Sequence, residues 1–87
     1  MRDLQELRNQ SNRASINLLF IDAEMALTFL DLARTSQNDD LRKRRIHEAL
    51  KAYYFIQGHI PTVTLTAAQK IALNKKMAVL KLRLGLT

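Results

Sequence analysis

INLLFIDAEMALTFLDLA, residues 16–33, is the stretch that decides the fold class. It is rich in Leu, Ala, Ile, Phe and Met, is interrupted by Asn17, Asp22, Glu24 and Asp31, and contains neither glycine nor proline. Three carboxylates in 18 residues are incompatible with a lipid-exposed span, because each would have to be carried through the hydrocarbon core. Apolar side chains nonetheless surround most of the circumference, and a helix of that kind must touch at least two others. The stretch therefore predicts a buried helix of an all-α fold.

Working outward, Leu4, Leu7, Ala14, Leu18, Ile21, Met25 and Leu32 recur at the 3-4 spacing of one helical row, with Ser11 and Thr28 as its polar members. A second row, Leu19, Ala23, Ala26, Leu30 and Ala33, lies beside it on the helical wheel, and Ile16, Phe20 and Leu27 widen it. The larger residues point to the first row as core. Helix 1 is expected over about 12–36, starting near residue 3 if Asn9-Gln10-Ser11-Asn12 does not interrupt it. Asp22 falls inside the apolar sector, so either it pairs with a base such as Arg45 or Lys75, the favoured reading, or it opens the bundle to water, since an unpaired buried carboxylate costs several kcal/mol.

Ser36-Gln37-Asn38-Asp39-Asp40 is a polar connection in which Ser36 or Asn38 can cap a helix and the aspartates complement its dipole. Helix 2 is expected over about 39–59, with Ile46, Ala49, Tyr53, Ile56 and Ile60 as its stripe, supported by Leu50, and with Gly58 and Pro61 marking its end. Pro61 to Leu65 alternates like a strand, but a five-residue strand with nothing to pair with reads as an extended loop. Thr66-Ala67-Ala68-Gln69 has capping-box spacing and opens helix 3, expected over about 66–84 before Gly85. Its main stripe is Leu73, Met77, Leu80 and Leu84. The expected core is thus Leu18, Ile21, Met25, Phe29, Leu50, Tyr53, Ile56, Leu73, Met77 and Leu80, and the expected architecture is a single domain, 1–87, forming an antiparallel up-down-up three-helix bundle with a long first helix.

Composition agrees with this reading: 87 residues suffice for one core, and 15 Leu and 10 Ala stand against 2 Val, 2 Gly and 1 Pro. The absence of cysteine excludes a disulfide scaffold, a thiolate zinc site and a cysteine nucleophile. The opening residues MRDLQELRNQSN carry no apolar run of the secretory kind, so a cytoplasmic location is expected. Net charge is +6; residues 1–36 carry 4 basic and 5 acidic groups, whereas residues 61–87 carry 5 basic groups and no acid.

Candidate chemistry is sparse. His47 and His59 are the only neutral-pH bases, neither has metal or nucleophile spacing, and no Glu-x-x-His or phosphate-binding glycine loop occurs. His47 reads as solvated and His59 as a cap on helix-end carbonyls. No enzyme, cofactor, metal site or small-molecule substrate is expected. Asn17, Glu24 and Asp31 recur every seven residues, two turns apart, too far for one metal ion; they read as a solvent-facing ridge or, if the ridge has a use, as one that pairs with the lysines of helix 3 or of a second chain. Arg42, Lys43, Arg44 and Arg45 point in four directions on a helix and, with Lys75 and Lys76, define an alternative as a nucleic-acid or other polyanion site. Contiguous Tyr53, Tyr54 and Phe55 cannot all face one core.

Ala49-Leu50-x-x-Tyr53, with Ile56 and then Pro61, resembles the second helix of a tetratricopeptide repeat. Ile56 stands where that repeat has a small residue, and Ala33 to Asp40 lacks the aromatic and glycine of its first helix. The whole chain also looks like short bacterial helical proteins, a likeness that implies no activity. What the repeat resemblance implies is a helical hairpin used for protein contacts. The favoured function is a non-enzymatic helical interaction module that self-associates as a homodimer or binds a partner helix. Leu4, Leu7, Tyr54, Ile71, Val79, Leu82 and Leu86 are the expected interface, and in a dimer the acid-rich first half of one chain would lie by the basic helix 3 of the other.

Overall fold

The computed structural model describes residues 2–86, and in it α1 spans Arg2–Thr35, α2 Asp39–His59 and α3 Ala67–Arg83, with one 3₁₀ turn at Ile60–Thr62. The chain is all-α, with no strand among the described residues. Local chemistry sets these limits. The Asn38 side chain accepts from the Leu41 N–H at 3.0 Å, and Asp39 and Asp40 fill the first turn of α2. At α3, Gln69 N–H donates to Thr66 Oγ1 and Thr66 N–H donates to Gln69 Oε1, a complete capping box. Gly85 adopts φ 72°, the left-handed region that only glycine enters at little cost. The Leu86 N–H then donates to the Lys81 carbonyl and the Gly85 N–H to that of Leu82, closing α3 with a Schellman motif.

Of the two starts left open for α1, the earlier one holds: Asn9 to Asn12 does not interrupt the helix, which runs from Arg2. Helix α2 ends at His59 as expected; the chain tightens into a 3₁₀ turn at Ile60, where Pro61 lacks the N–H needed to continue.

Chain direction follows from which residues meet. Ala33 and Arg34 lie by Arg42, the Arg45 guanidinium sits over the Phe29 ring, and Asp22 shares a groove with Lys51 and Tyr54, so α1 and α2 are antiparallel. Between α1 and α3 the contacts Glu24 with Lys76 and Asp31 with Arg83 keep a constant sequence separation of 52, as does Asn12 with Thr64 in the connection before α3, so these two helices are parallel. The result is an up-down-up bundle in which α1 makes its most extensive contact with α2 and α3 packs mainly on α1.

The core is built on the alanine row. Ile16, Leu19, Ala23, Ala26, Leu30 and Ala33 of α1 are buried, together with Ala49, Tyr53 and Ile56 of α2 and Leu73, Met77 and Leu80 of α3. Phe20, Leu27, Phe29, Ile60, Val63 and Leu65 pack partly buried against this cluster. The expected core of α1 is corrected here: Leu18 and Met25 are each 48% exposed and Ile21 54%, while Phe29 and, on α2, Leu50 are half-buried. The reason is width. A central helix needs an apolar sector of about 100° or more to serve two neighbours. The second row with Ile16, Phe20 and Leu27 supplies that sector, and its alanines let α2 come close while Leu19 and Leu30 fill the space between them. The row of Leu18, Ile21 and Met25 is narrower and lies on the far side.

Burial rather than side-chain size should govern stability in urea. Leu73→Ala, at a fully buried site, should cost about 2–5 kcal/mol. Ala26→Leu, which adds methylenes where two helices meet, should cost about 1–3 kcal/mol. Leu82→Ala, at a residue 81% exposed, should stay within about 0.5 kcal/mol. Gly58 lies within α2 with nothing within 4 Å of an added Cβ, so Gly58→Ala should raise stability by about 0.4–1 kcal/mol.

Candidate interaction surface

Helix α1 has two opposed faces. At 100° per residue, the centre of the buried rows lies about 150° from the centre of the row Leu4, Leu7, Leu18, Ile21, Met25 and Leu32. All six of these residues are exposed, as are Ser11, Ala14, Thr28 and Thr35 on the same face. The large side chains are thus spread along the full helix and lie outside the core, Met25 bordering α2 in a groove shared with Ala52, Tyr54 and Phe55. Where Ile21 and Met25 lie between Phe20 and Phe29, the surface forms an open, almost wholly apolar groove.

Polar groups along the two edges of this face are largely engaged within the chain. On the α3 side, Asp31 accepts from Arg83 Nη2 at 2.8 Å and Glu24 pairs with Lys76. Both acids and both bases are spaced by seven residues, so the acidic ridge seen in the sequence lies against basic positions of α3 in the same chain. Asn17, the third member, is exposed. At the other end of the seam, Asn12 holds the 61–66 connection, donating to the Thr64 carbonyl at 3.1 Å and accepting the Thr64 N–H at 2.9 Å. Asp22 is corrected: it is half-buried in an open groove with Glu48 and Lys51, and no ion pair to Arg45 or Lys75 forms among the described residues. It escapes the desolvation foreseen because the sector it borders is the solvent-facing one.

The other sequence candidates disperse. Tyr54, Ile71, Val79 and Leu82 are exposed, but Tyr54 is on α2 and the rest on α3, away from Leu4 and Leu7 on α1. Leu86 is corrected: the Schellman turn brings it back onto the core, where it is partly buried. Of the polyanion candidates, Arg42 bonds to Asp39 and to the Ser36 carbonyl, Arg45 covers Phe29 at 5.7 Å, and Lys76 pairs with Glu24, whereas Lys43, Arg44 and Lys75 face solvent. These bases therefore do not converge on one patch. His47 is exposed; His59 Nδ1 lies 2.7 Å from the Phe55 carbonyl and its ring stacks on Phe55 at 4.0 Å, the helix-end role read from sequence. Among the described residues no group of three or more His, Cys, Asp or Glu is placed to hold a metal, and no helix is long and apolar enough to cross a membrane.

Sequence reasoning found the residues of the exposed face but assigned Leu18, Ile21 and Met25 to the core. The signal that could have separated the faces was the alanine content of the competing row. Comparison with family models, with curated proteins and with solved structures finds no match to the chain.

The ion pairs between α1 and α3 are solvent-accessible, so each should be worth about 0.2–1 kcal/mol. A double-mutant cycle on Asp31→Asn and Arg83→Gln should return a coupling in that range that shrinks as salt is raised from about 0.05 to 0.5 M. A coupling unaffected by salt would show that the contact acts by packing.

Proposed function

We propose that this protein is a non-enzymatic helical interaction module that self-associates through the apolar face of α1. One observation carries the reading: a row of large aliphatic side chains runs the length of a 34-residue helix, and each of its members remains 45–65% exposed. Contiguous exposed apolar surface of that kind marks contact sites in small proteins. Leaving each such side chain in water forgoes up to about 1.5–3 kcal/mol relative to full burial, a large sum beside the margin of a domain this small. The absence of cysteine is consistent with a cytoplasmic setting, which forms part of the proposal.

Light scattering at concentrations of about 10–100 µM should give a mass above the 10.0 kDa of one chain. That mass should hold between about 0.05 and 0.5 M salt, as apolar contacts respond little to ionic strength. Binding to a DNA oligonucleotide would instead weaken steeply and linearly on a log-log plot. A monomer mass throughout, with salt-sensitive oligonucleotide binding lost in Lys43→Glu and Arg44→Glu, would overturn the module in favour of a polyanion-binding protein.

A further inference from the structure

The exposed face of α1 is a heptad seam. With Leu4 as the first core position, one set of core positions is Leu4, Ser11, Leu18, Met25 and Leu32, and the other is Leu7, Ala14, Ile21, Thr28 and Thr35. All ten are exposed. A strict seven-residue repeat maintained through a helix of 34 residues is the pattern that lets two helices wind around each other with their side chains interlocked. From position 4 to position 32, at a rise of 1.5 Å per residue, the seam is about 42 Å long.

We infer that two copies of this chain pair antiparallel along α1, with Leu18 beside the partner's Ile21. Antiparallel pairing sets a residue of the first set against one of the second. This register brings Leu7 to the partner's Leu32, Ser11 to the partner's Thr28 and Ala14 to the partner's Met25. Three features favour it.

The first is volume. Small Ala14 meets large Met25, the only thin layer is the polar one, and the centre is Leu18 with Ile21. A parallel, in-register pair would stack Ser11 on Ser11 and Ala14 on Ala14 in consecutive layers, leaving a gap two layers deep where interiors require close packing. The second is polarity. Thr28 Oγ1 already donates to the Glu24 carbonyl at 2.9 Å, so its lone pairs remain able to accept the proton of the partner's Ser11. Shifting the antiparallel register by one heptad would either oppose Ser11 to Ile21 and leave Leu32 uncovered, or oppose Thr28 to Leu18 and leave Leu4 and Leu7 uncovered.

The third is support. Glu24 and Asp31 are already paired with Lys76 and Arg83 of their own chain, so charge along the two halves of α1 does not choose the orientation. At the edges, Asp31 and Glu24 come to the partner's Gln10 and Asn17, so no acid opposes an acid, while Arg8 comes to the partner's Phe29, over whose ring Arg45 already sits. The first turns of α1, where residues 3–11 are all exposed, then lie against the partner's bundle-supported half. A parallel pair would leave these turns to support only each other.

This inference rests on the interaction reading and adds the occupant and its orientation. Because the chain has no cysteine, crosslinking can read the register directly in the full-length protein. Leu7→Cys and Leu32→Cys are surface changes expected to leave helical content intact by circular dichroism. Under mild oxidation each variant alone should remain at least about tenfold poorer in covalent dimer than an equimolar mixture of the two. Only a thiol at position 7 of one chain and a thiol at position 32 of the other come within disulfide reach, ~4.4–6.8 Å between Cα atoms. Leu18→Lys should independently return the light-scattering mass to that of one chain. Covalent dimer from either single variant, with a dimer mass, would show parallel pairing and overturn the inference while leaving the interaction module standing. A dimer mass unaffected by Leu18→Lys would place self-association elsewhere and overturn it equally. A wild-type monomer mass at every concentration would overturn both the inference and the self-associating function beneath it.

Discussion

Burial of Ala23, Ala26, Ala33 and Ala49 in a core dominated by the contact of α1 with α2 is the constraint on which the rest of the structure depends. An alanine at a helix crossing contributes little transfer free energy of its own, but it loses no side-chain entropy on burial. It also leaves room for larger neighbours to reach across. Leu19, Leu30, Tyr53 and Ile56 use that room and become almost fully buried. Once the alanine row is committed to α2, the orientation of α1 is settled around its axis. Phe20 and Leu27 then pack partly buried against the core, the Glu24 and Asp31 ridge falls at the edge of α3, and Leu18, Ile21 and Met25 are carried to the outside.

What could be read in the sequence, and what could not, follows from the range of each effect. Caps are decided within four residues, and Asn38, the Thr66–Gln69 box and Gly85 all act at the positions their spacing indicates. The seven-residue spacing of Glu24 and Asp31 likewise suited the bases of α3, since a parallel neighbour with the same repeat meets it in step. The inward face of α1 was not legible in that way. Ranking side chains by hydropathy places Leu18, Ile21 and Met25 above three alanines, whereas packing against two neighbours rewards a wide sector and a short interhelical distance. Both rows have helical periodicity, so periodicity could not choose between them. Leu86 was misread for a related reason: its position depends on a left-handed turn at Gly85 that reverses the chain, which a projection down a straight helix cannot represent.

Helix α1 thus presents one buried and one exposed face about 150° apart, and under the proposed self-association the two meet different demands. The buried face uses small residues and must fit α2 and α3 of the same chain, a contact made once and held by short connections. The outer face uses larger and more exposed residues and is interrupted by Ser11 and Thr28, which lower its apolar continuity without breaking the seam. Polar positions in an otherwise apolar seam weaken association but discriminate among registers, because only one alignment pairs them with each other. A face meant solely to be covered by the chain's own helices would gain nothing from such positions.

The same division bears on how a chain of 87 residues remains folded. Domains this small bury a modest share of their surface and hold a narrow margin of stability. In this bundle the first turns of α1 project past the other helices and receive no support from them. Association along the outer face would remove those turns from water and, by mass action, raise the stability of the whole bundle with concentration. Because α1 is the central helix, anything bound to its outer face also restrains its inner one. The helix that organises the core is therefore the one through which a partner can stabilise it.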